Sequence, residues 1–245
     1  MLEVIGCNTL TYLFSPSIAK LLVMLEKIKV SHCEKIEDIL ARAGEEEEEK
    51  ESHIAPIFDQ LRELVLMDLP KLVHIWKKGP ERILGFGNLR LLKVWDCNSL
   101  TYLFSPLIAK LLVMLEKIEV SHCEKIEEIL ASAGEEEKEK DILFDKVNSI
   151  LLRDLPNLKC FCPETNAFEW PSLKEITVIG CPILSIFIPS NLKTPKLGGV
   201  YGKVPFIPPE RTCHWKGELN ATIEHIFKGK VWHINVRIFS PQLSP

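Results

Sequence analysis

The sequence of 245 residues contains no apolar run of the roughly 20 residues that a membrane-spanning helix needs. Its first residues lack the basic start, apolar stretch and small-residue cleavage site of a secretory signal. The 30 lysines and arginines are balanced by 34 acidic residues, so no basic field attracts nucleic acid or anionic lipid. We therefore predict a cytoplasmic protein with no membrane span and no nucleic-acid partner.

Motifs that carry chemistry are also missing. There is no phosphate-binding loop of the form G-x-x-x-x-G-K-[ST] and no G-x-S-x-G nucleophile turn. The pairs His32-Cys33 and His122-Cys123 offer metal-ligand residue types, but adjacent residues on a strand point to opposite faces. We predict no catalytic, cofactor-binding or metal-binding residues, and an enzyme is the least favoured class of protein.

The chain contains a large internal duplication. Residues 7–47 align with residues 97–137, and 36 of these 41 positions are identical. Within each copy a shorter template recurs, of the form L-x-x-L-x-[LV]-x-x-[CL]-x-x-L. Its second strand position falls at residues 4, 30, 66, 94, 120, 152 and 178, an average step of about 29 residues. Such a step is typical of leucine-rich repeats.

The template predicts an α/β leucine-rich-repeat solenoid, in which parallel strands line the concave face of a curved horseshoe. Each strand is too short to be stable alone, so neighbouring strands must stack on it in parallel. Short helices and loops are expected on the convex face. One helix is predicted after Ser15-Pro16, with Ile18, Leu21, Leu22 and Leu25 on one face, and its duplicate after Ser105-Pro106.

Runs of glutamate and lysine interrupt the repeats near residues 44–53 and 134–141, after stretches in which we expect a strand, a turn and a helix ending at Ile39-Leu40 and Ile129-Leu130. Like charges keep such segments solvated. Two interpretations stay open: a disordered acidic loop, or a docking site for a basic partner.

The strand positions that point away from the core are the candidate binding positions on a solenoid. The two copies differ there, because Glu3 stands beside Lys29 in the first copy and Lys93 beside Glu119 in the second. Opposite charges on adjacent strands contribute about 0.2–1 kcal/mol when they pair. These residues either pair with each other or contact a partner.

Trp95 occupies the position that Ile5 has in the first copy, and the template places it exposed between Met67 and Ser121. Arg153 is expected two strands away. Tryptophan, methionine and arginine are enriched at the centres of interfaces, although a tryptophan lying flat over its neighbours is the alternative. The predicted partner-binding residues are Met67, Trp95, Arg153, Lys29, Lys93 and Glu119.

Four segments resemble the C-terminal repeats of plant coiled-coil nucleotide-binding leucine-rich-repeat disease-resistance proteins. They are residues 92–104 (LKVWDCNSLTYLF), 120–129 (VSHCEKIEEI), 64–70 (LVLMDLP) and 215–227 (WKGELNATIEHIF). The resemblance implies a protein-protein recognition module of an intracellular immune receptor, whose partner is a pathogen effector, a guarded host protein or the receptor's own nucleotide-binding domain. The phosphate loop and coiled coil of that family are missing, so we expect a fragment.

The predicted organisation is a solenoid of about seven repeats over residues 1–190 and a capping segment with a tail over residues 191–245. No pattern is assigned to residues 231–239. The alternative function is a stand-alone leucine-rich-repeat adaptor, such as the substrate receptor of a ubiquitin ligase. An adaptor of this kind is expected to bring its own docking motif and N-terminal cap, and neither is recognised in the sequence.

Overall fold

The computed structural model describes residues 1–40, 58–76, 86–132, 144–163, 168–188, 192–202, 212–214 and 216–228. Its strands are β1 (Leu2–Ile5), β2 (Tyr12–Phe14), β3 (Lys27–Ser31), β4 (Asp38–Leu40), β5 (Glu63–Met67), β6 (Leu91–Trp95), β7 (Lys117–Ser121), β8 (Ser149–Arg153), β9 (Phe168–Glu169), β10 (Glu175–Ile179), β11 (Leu192–Lys193), β12 (Val200–Gly202) and β13 (Thr212–His214). Its helices are α1 (Pro16–Leu21), α2 (Pro106–Leu111) and α3 (Leu219–Lys228). The acidic segments near 44–53 and 134–141 and the segment 231–239 all lie outside the described residues.

The described strands form a nine-stranded sheet in the order β1-β3-β5-β6-β7-β8-β10-β12-β13. Its neighbours run parallel except for the last pair, β12 and β13, which is antiparallel. The second strand position of the template stays in register from coil to coil, since Val30 pairs with Leu66 and Leu66 with Val94. These side chains are at most 1% exposed. The predicted parallel solenoid is therefore confirmed.

The sheet continues across residue 190, where the sequence analysis ends the solenoid. Strand β12 adds one further parallel strand, with Val200 paired to Ile176. The L-x-L alternation is absent from Val200-Tyr201-Gly202, so the template missed this strand. Helix α3 packs against β12, and a Cβ on Gly202 would be in ordinary van der Waals contact with Ile226, at 3.4 Å. The division at residue 190 and the capping role of residues 191–245 remain predictions.

Helix α1 begins as the sequence predicts. Ser15 is its N-cap, and the Ser15 hydroxyl accepts a hydrogen bond from the Ile18 amide at 3.3 Å. Ser105 caps α2 in the same way. Both helices contain only six residues, so Leu25 lies beyond α1. It belongs to a turn in which the Leu25 amide donates to the Leu22 carbonyl. The predicted helical face was therefore too long by one turn.

The prediction of a helix that ends at Ile39-Leu40 is wrong. These residues belong to β4, which pairs in parallel with β2, and the second copy has the matching bridge between Phe104 and Leu130. The returning segments of stacked coils lie side by side, so each can form ladder hydrogen bonds with the next. Those bonds override the helical preference of an isolated glutamate-rich stretch.

Aromatic rings fill the interior on the side away from the large sheet. Successive ring centroids lie 5.0–6.3 Å apart along a row that we call the aromatic row. It comprises Phe14, Phe58, Phe86, Trp76, Phe104, Phe144, Phe161, Trp170 and Phe187. The sequence signal for this row is an aromatic residue three positions before the first leucine or valine of a template, as at Phe58, Phe86, Phe144 and Trp170.

The side chain of Asn220, at the start of α3, bonds to the backbone of Phe187 and Ile188. Its Nδ2 donates to the Ile188 carbonyl at 2.6 Å, and its Oδ1 accepts from the amides of Phe187 and Ile188 at 3.0 and 3.3 Å. The side-chain amide thus replaces the backbone groups that a further coil would offer. Asn220-Ala221-Thr222 has the form of a glycosylation acceptor, but this amide is already engaged and Thr222 is fully buried.

Candidate functional site

A row of residues in the left-handed backbone region follows the strands of the large sheet. Their φ angles lie between 51° and 65°. The members of this left-handed row are Gly6, His32, Asp68, Asp96, His122, Asp154 and Gly180. The backbone amides of the first six members each donate to the carbonyl of the last strand residue on the neighbouring coil. The Asp68 amide, for example, donates to the Trp95 carbonyl at 2.8 Å. The row therefore forms one edge of the sheet's outward face.

Two histidines of the left-handed row face aspartates on the next coil. His32 Nδ1 lies 2.7 Å from Asp68 Oδ2, and His122 Nε2 lies 3.6 Å from Asp154 Oδ2. The sequence analysis considered these histidines only as metal ligands. Their pairing depends on which residues lie side by side on neighbouring coils. The segments between coils differ in length, so the sequence alone does not show that register. Among the residues that the structure describes, no group of three or more His, Cys, Asp or Glu side chains is placed to hold a metal ion.

Trp95 lies at the middle of the outward face, as predicted. It pairs with Met67 on one side and Ser121 on the other, and 36% of its surface is exposed. Its ring stacks on His122 at a centroid distance of 5.6 Å and an interplanar angle of 21°. The Lys93 ammonium lies 5.6 Å from the ring centroid, within cation-π range. The structure thus adds His122 to the neighbours that the sequence predicted.

Arg153 lies one strand beyond Ser121, so β7 separates it from Trp95. Its Nε is buried and has no hydrogen-bond partner among the described residues. A buried donor without an acceptor costs about 1–3 kcal/mol. Met67, Trp95 and Arg153 therefore occupy one outward row, but Arg153 is not in direct strand pairing with Trp95.

The predicted charge pairs on the outward face are formed. Lys29 Nζ lies 2.6 Å from Glu3 Oε1, and Lys93 Nζ lies 3.3 Å from Glu119 Oε2. Lys93 and Glu119 stand beside Trp95, whereas Val65 separates Lys29 from Lys93. Each of these four side chains is about one-third exposed, so its pairing contributes little to stability. Their partners within the chain reduce the charge that they offer to another protein.

Four of the five template cysteines lie in the core, as expected, whereas Cys7 in the first coil is half-buried. Cys33, Cys97, Cys123 and Cys181 have no exposed surface, and the Cys123 thiol donates to the Ser121 carbonyl at 3.3 Å. Burial raises the pKa of Cys123 and of Cys181 to about 12, chiefly because a thiolate would lose its hydration there. A nucleophile needs a thiolate at neutral pH, so these thiols serve packing.

In the described part of the chain, none of the helices combines the length and the apolar character that crossing a membrane requires.

Short parallel strands in common register, a ladder of buried leucines and cysteines, and a core that grows coil by coil define a leucine-rich-repeat solenoid. Residues 1–124 and 111–195 match the model of the family described as plant disease resistance protein RPS2-like, leucine-rich repeats. The chain belongs to this family. Neither a curated protein nor a solved structure matches it. Solenoids of this class act as interaction modules, which agrees with the exposed tryptophan on the outward face.

Proposed function

We propose that this chain is the protein-recognition module of a plant intracellular immune receptor and that it works in the cytoplasm. Its ligand is a pathogen effector or a guarded host protein. In a full-length receptor the same repeats would also contact the nucleotide-binding domain, which the described fold does not include. The observation that carries the proposal is the exposed side chain of Trp95 on the outward face of the sheet. It stands in a chain whose family is that of plant disease resistance repeats.

The binding surface that we propose is centred on Trp95, Met67 and Arg153, with Lys93 and Glu119 at its border and Lys29 further along the face. Stacking on His122 fixes the Trp95 ring, so little side-chain entropy is lost when a partner covers it. Arg153 lies on the same outward row two strands from Trp95, where its guanidinium supports a polar contact. A rigid aromatic anchor with an arginine on the same face is the composition of an interface centre.

Binding of the full chain to a panel of pathogen effectors and their host target proteins tests this function. Trp95→Ala should weaken binding of a positive partner about 30-fold, the equivalent of a hot spot of about 2 kcal/mol. Ile5→Ala is the matched control, because Ile5 has the same position in the duplicate and is also exposed. Equal binding by both variants would rule out the surface around Trp95 as the binding site. Failure of every panel member to bind would contradict the recognition function.

A further inference from the structure

A small concavity lies at the edge of the sheet where the strands begin, opposite the left-handed row. It has a volume of about 250 Å³ and is lined by Glu116, Lys146, Asn148, Ser172, Lys174 and Lys196. We call it the lysine concavity. Its volume is below the 300 Å³ or so at which pockets for drug-sized ligands start, but it has room for a small anion and a few waters. None of its residues belongs to the surface around Trp95.

The regular register of the coils brings the lysines together. Lys146, Ser172 and Lys196 each stand four residues before a core residue of β8, β10 and β12, and those three core residues pair directly with each other. Lys174 lies on the coil of Ser172, where its amide donates to the Asn148 carbonyl at 3.0 Å. Three successive coils therefore each contribute one lysine around Ser172.

The charges of this concavity differ from those at seven other contacts between neighbouring coils. At those seven contacts, opposite charges or a histidine and an aspartate lie side by side. The pairs are Glu3–Lys29, Lys27–Glu63, His32–Asp68, Arg90–Glu116, Lys93–Glu119, His122–Asp154 and Glu127–Lys159. In the lysine concavity, the described residues provide no ion pair to any of the three lysines. The one carboxylate there, Glu116, already accepts a hydrogen bond from Arg90 at 3.0 Å.

Three ammonium groups around one concavity repel one another, and an anion between them would relieve that repulsion. The Asn148 amide and the Ser172 hydroxyl are half-buried at the same place and have no side-chain hydrogen bond among the described residues. Ammonium groups together with neutral donors are the groups that hold a phosphate through charge-assisted hydrogen bonds. A carboxylate offers fewer oxygens and less charge to such a set of donors.

We propose that the lysine concavity is an anion site that binds a phosphate group. Lys146, Lys174 and Lys196 supply the positive charge, and Asn148 and Ser172 supply directed hydrogen bonds. The phosphate is either free in solution or carried by a phosphorylated residue of another protein. This site is independent of the surface around Trp95, so its failure would leave the proposed function untouched.

Calorimetric titration of the full chain with pyrophosphate, and separately with a phosphoserine peptide, tests the proposal. Saturable binding with one site per chain is expected, and the triple variant Lys146→Gln, Lys174→Gln and Lys196→Gln should lose it by at least tenfold. The matched control replaces three other exposed lysines, Lys35, Lys71 and Lys125, by glutamine and removes the same total charge. All six positions are on the surface, so both variants should fold, and circular dichroism of each variant checks this.

The outcomes separate the alternatives. Tighter binding of pyrophosphate than of the peptide assigns the site to a free anion, and the reverse assigns it to a phosphorylated partner. A weak, unsaturable response that both triple variants share would show general screening of charge and would overturn the site. A second variant gives an independent readout: Lys174→Glu should abolish binding and raise the melting temperature in phosphate-free buffer, because it introduces an opposite charge between lysines. Unchanged pyrophosphate binding by Lys174→Glu would also overturn the proposal.

Discussion

Gly180 is subject to two separate constraints at the end of β10. Its φ of 64° lies in the left-handed region, which costs a residue with a Cβ about 1–2 kcal/mol. A Cβ at this position would also meet Asp154 Oδ1 at 2.1 Å and the Asp154 Cα at 3.2 Å. The contact at 3.2 Å is with the Asp154 backbone, which cannot rotate away as the carboxylate can. Glycine therefore fits here for space more than for conformation, since aspartate and histidine hold a similar φ elsewhere in the left-handed row.

Three glycine substitutions separate these constraints. Gly6 shares the left-handed conformation, with φ 65°, but has open space around its Cβ position, and Gly198 has open space without a left-handed φ. Gly198→Ala should leave the free energy of unfolding within about 0.5 kcal/mol, and Gly6→Ala should lower it by about 1–2 kcal/mol. Gly180→Ala should cost more than Gly6→Ala in urea unfolding. Equal losses for Gly6 and Gly180 would show that the contact with Asp154 is unimportant, and Asp154→Ala should recover part of the larger loss.

At the scale of elements, the strands were predictable and the segments between them largely were not. Alternating aliphatic residues mark a strand because its two faces meet different surroundings, so β3, β5, β6, β7, β8 and β10 could be placed from the sequence. The returning segments have no such periodicity. Whether Ile39-Leu40 forms a helix or a strand depends on the hydrogen bonds that the next coil offers, and those are set by tertiary stacking.

The candidate site shows the same division. The positions of Met67, Trp95 and the Lys93–Glu119 pair follow from counting along the template, and the structure places them as expected. The stacking of Trp95 on His122 could not be predicted from the template, because it depends on the left-handed turn that follows β7. Aspartate or glycine after most strands is the sequence signal for that turn, but histidine at positions 32 and 122 concealed it.

The two serine caps provide a test at the element scale. Ser105→Ala removes the hydroxyl that accepts from the Ile108 amide, and should cost about 0.5–2 kcal/mol because α2 is packed against the core. Ser15→Ala should cost less, since Ile18 is 50% exposed whereas its equivalent Ile108 is 5% exposed. Fraying of α1 therefore unpacks little of the structure. Thermal and urea unfolding of both variants measure the difference, and equal losses would contradict the assigned role of packing.

For the whole molecule, the internal duplication acts as a natural comparison between a covered and an uncovered coil. In the second copy the coil of β5 covers Leu100, which is fully buried, while its equivalent Leu10 in the first copy is 38% exposed. Met24 is 81% exposed, and its equivalent Met114 is half-buried. Nearly identical sequences thus differ in burial only because one has a neighbouring coil and the other, in the described structure, does not.

Among the described residues no strand pairs with the outer side of β1, and exposed apolar side chains lie nearby, which together favour association between chains. We therefore expect the isolated 245-residue chain to self-associate in sedimentation velocity, increasingly so at higher concentration. Ile5→Lys combined with Ile18→Glu should shift it toward the monomer, because charges on an edge strand and its adjoining helix oppose pairing. The control places the same two charges at Ile183 and Ile186, which are similarly exposed at the opposite end of the molecule. A wild-type chain that stays monodisperse at every concentration would contradict association through this edge of the sheet.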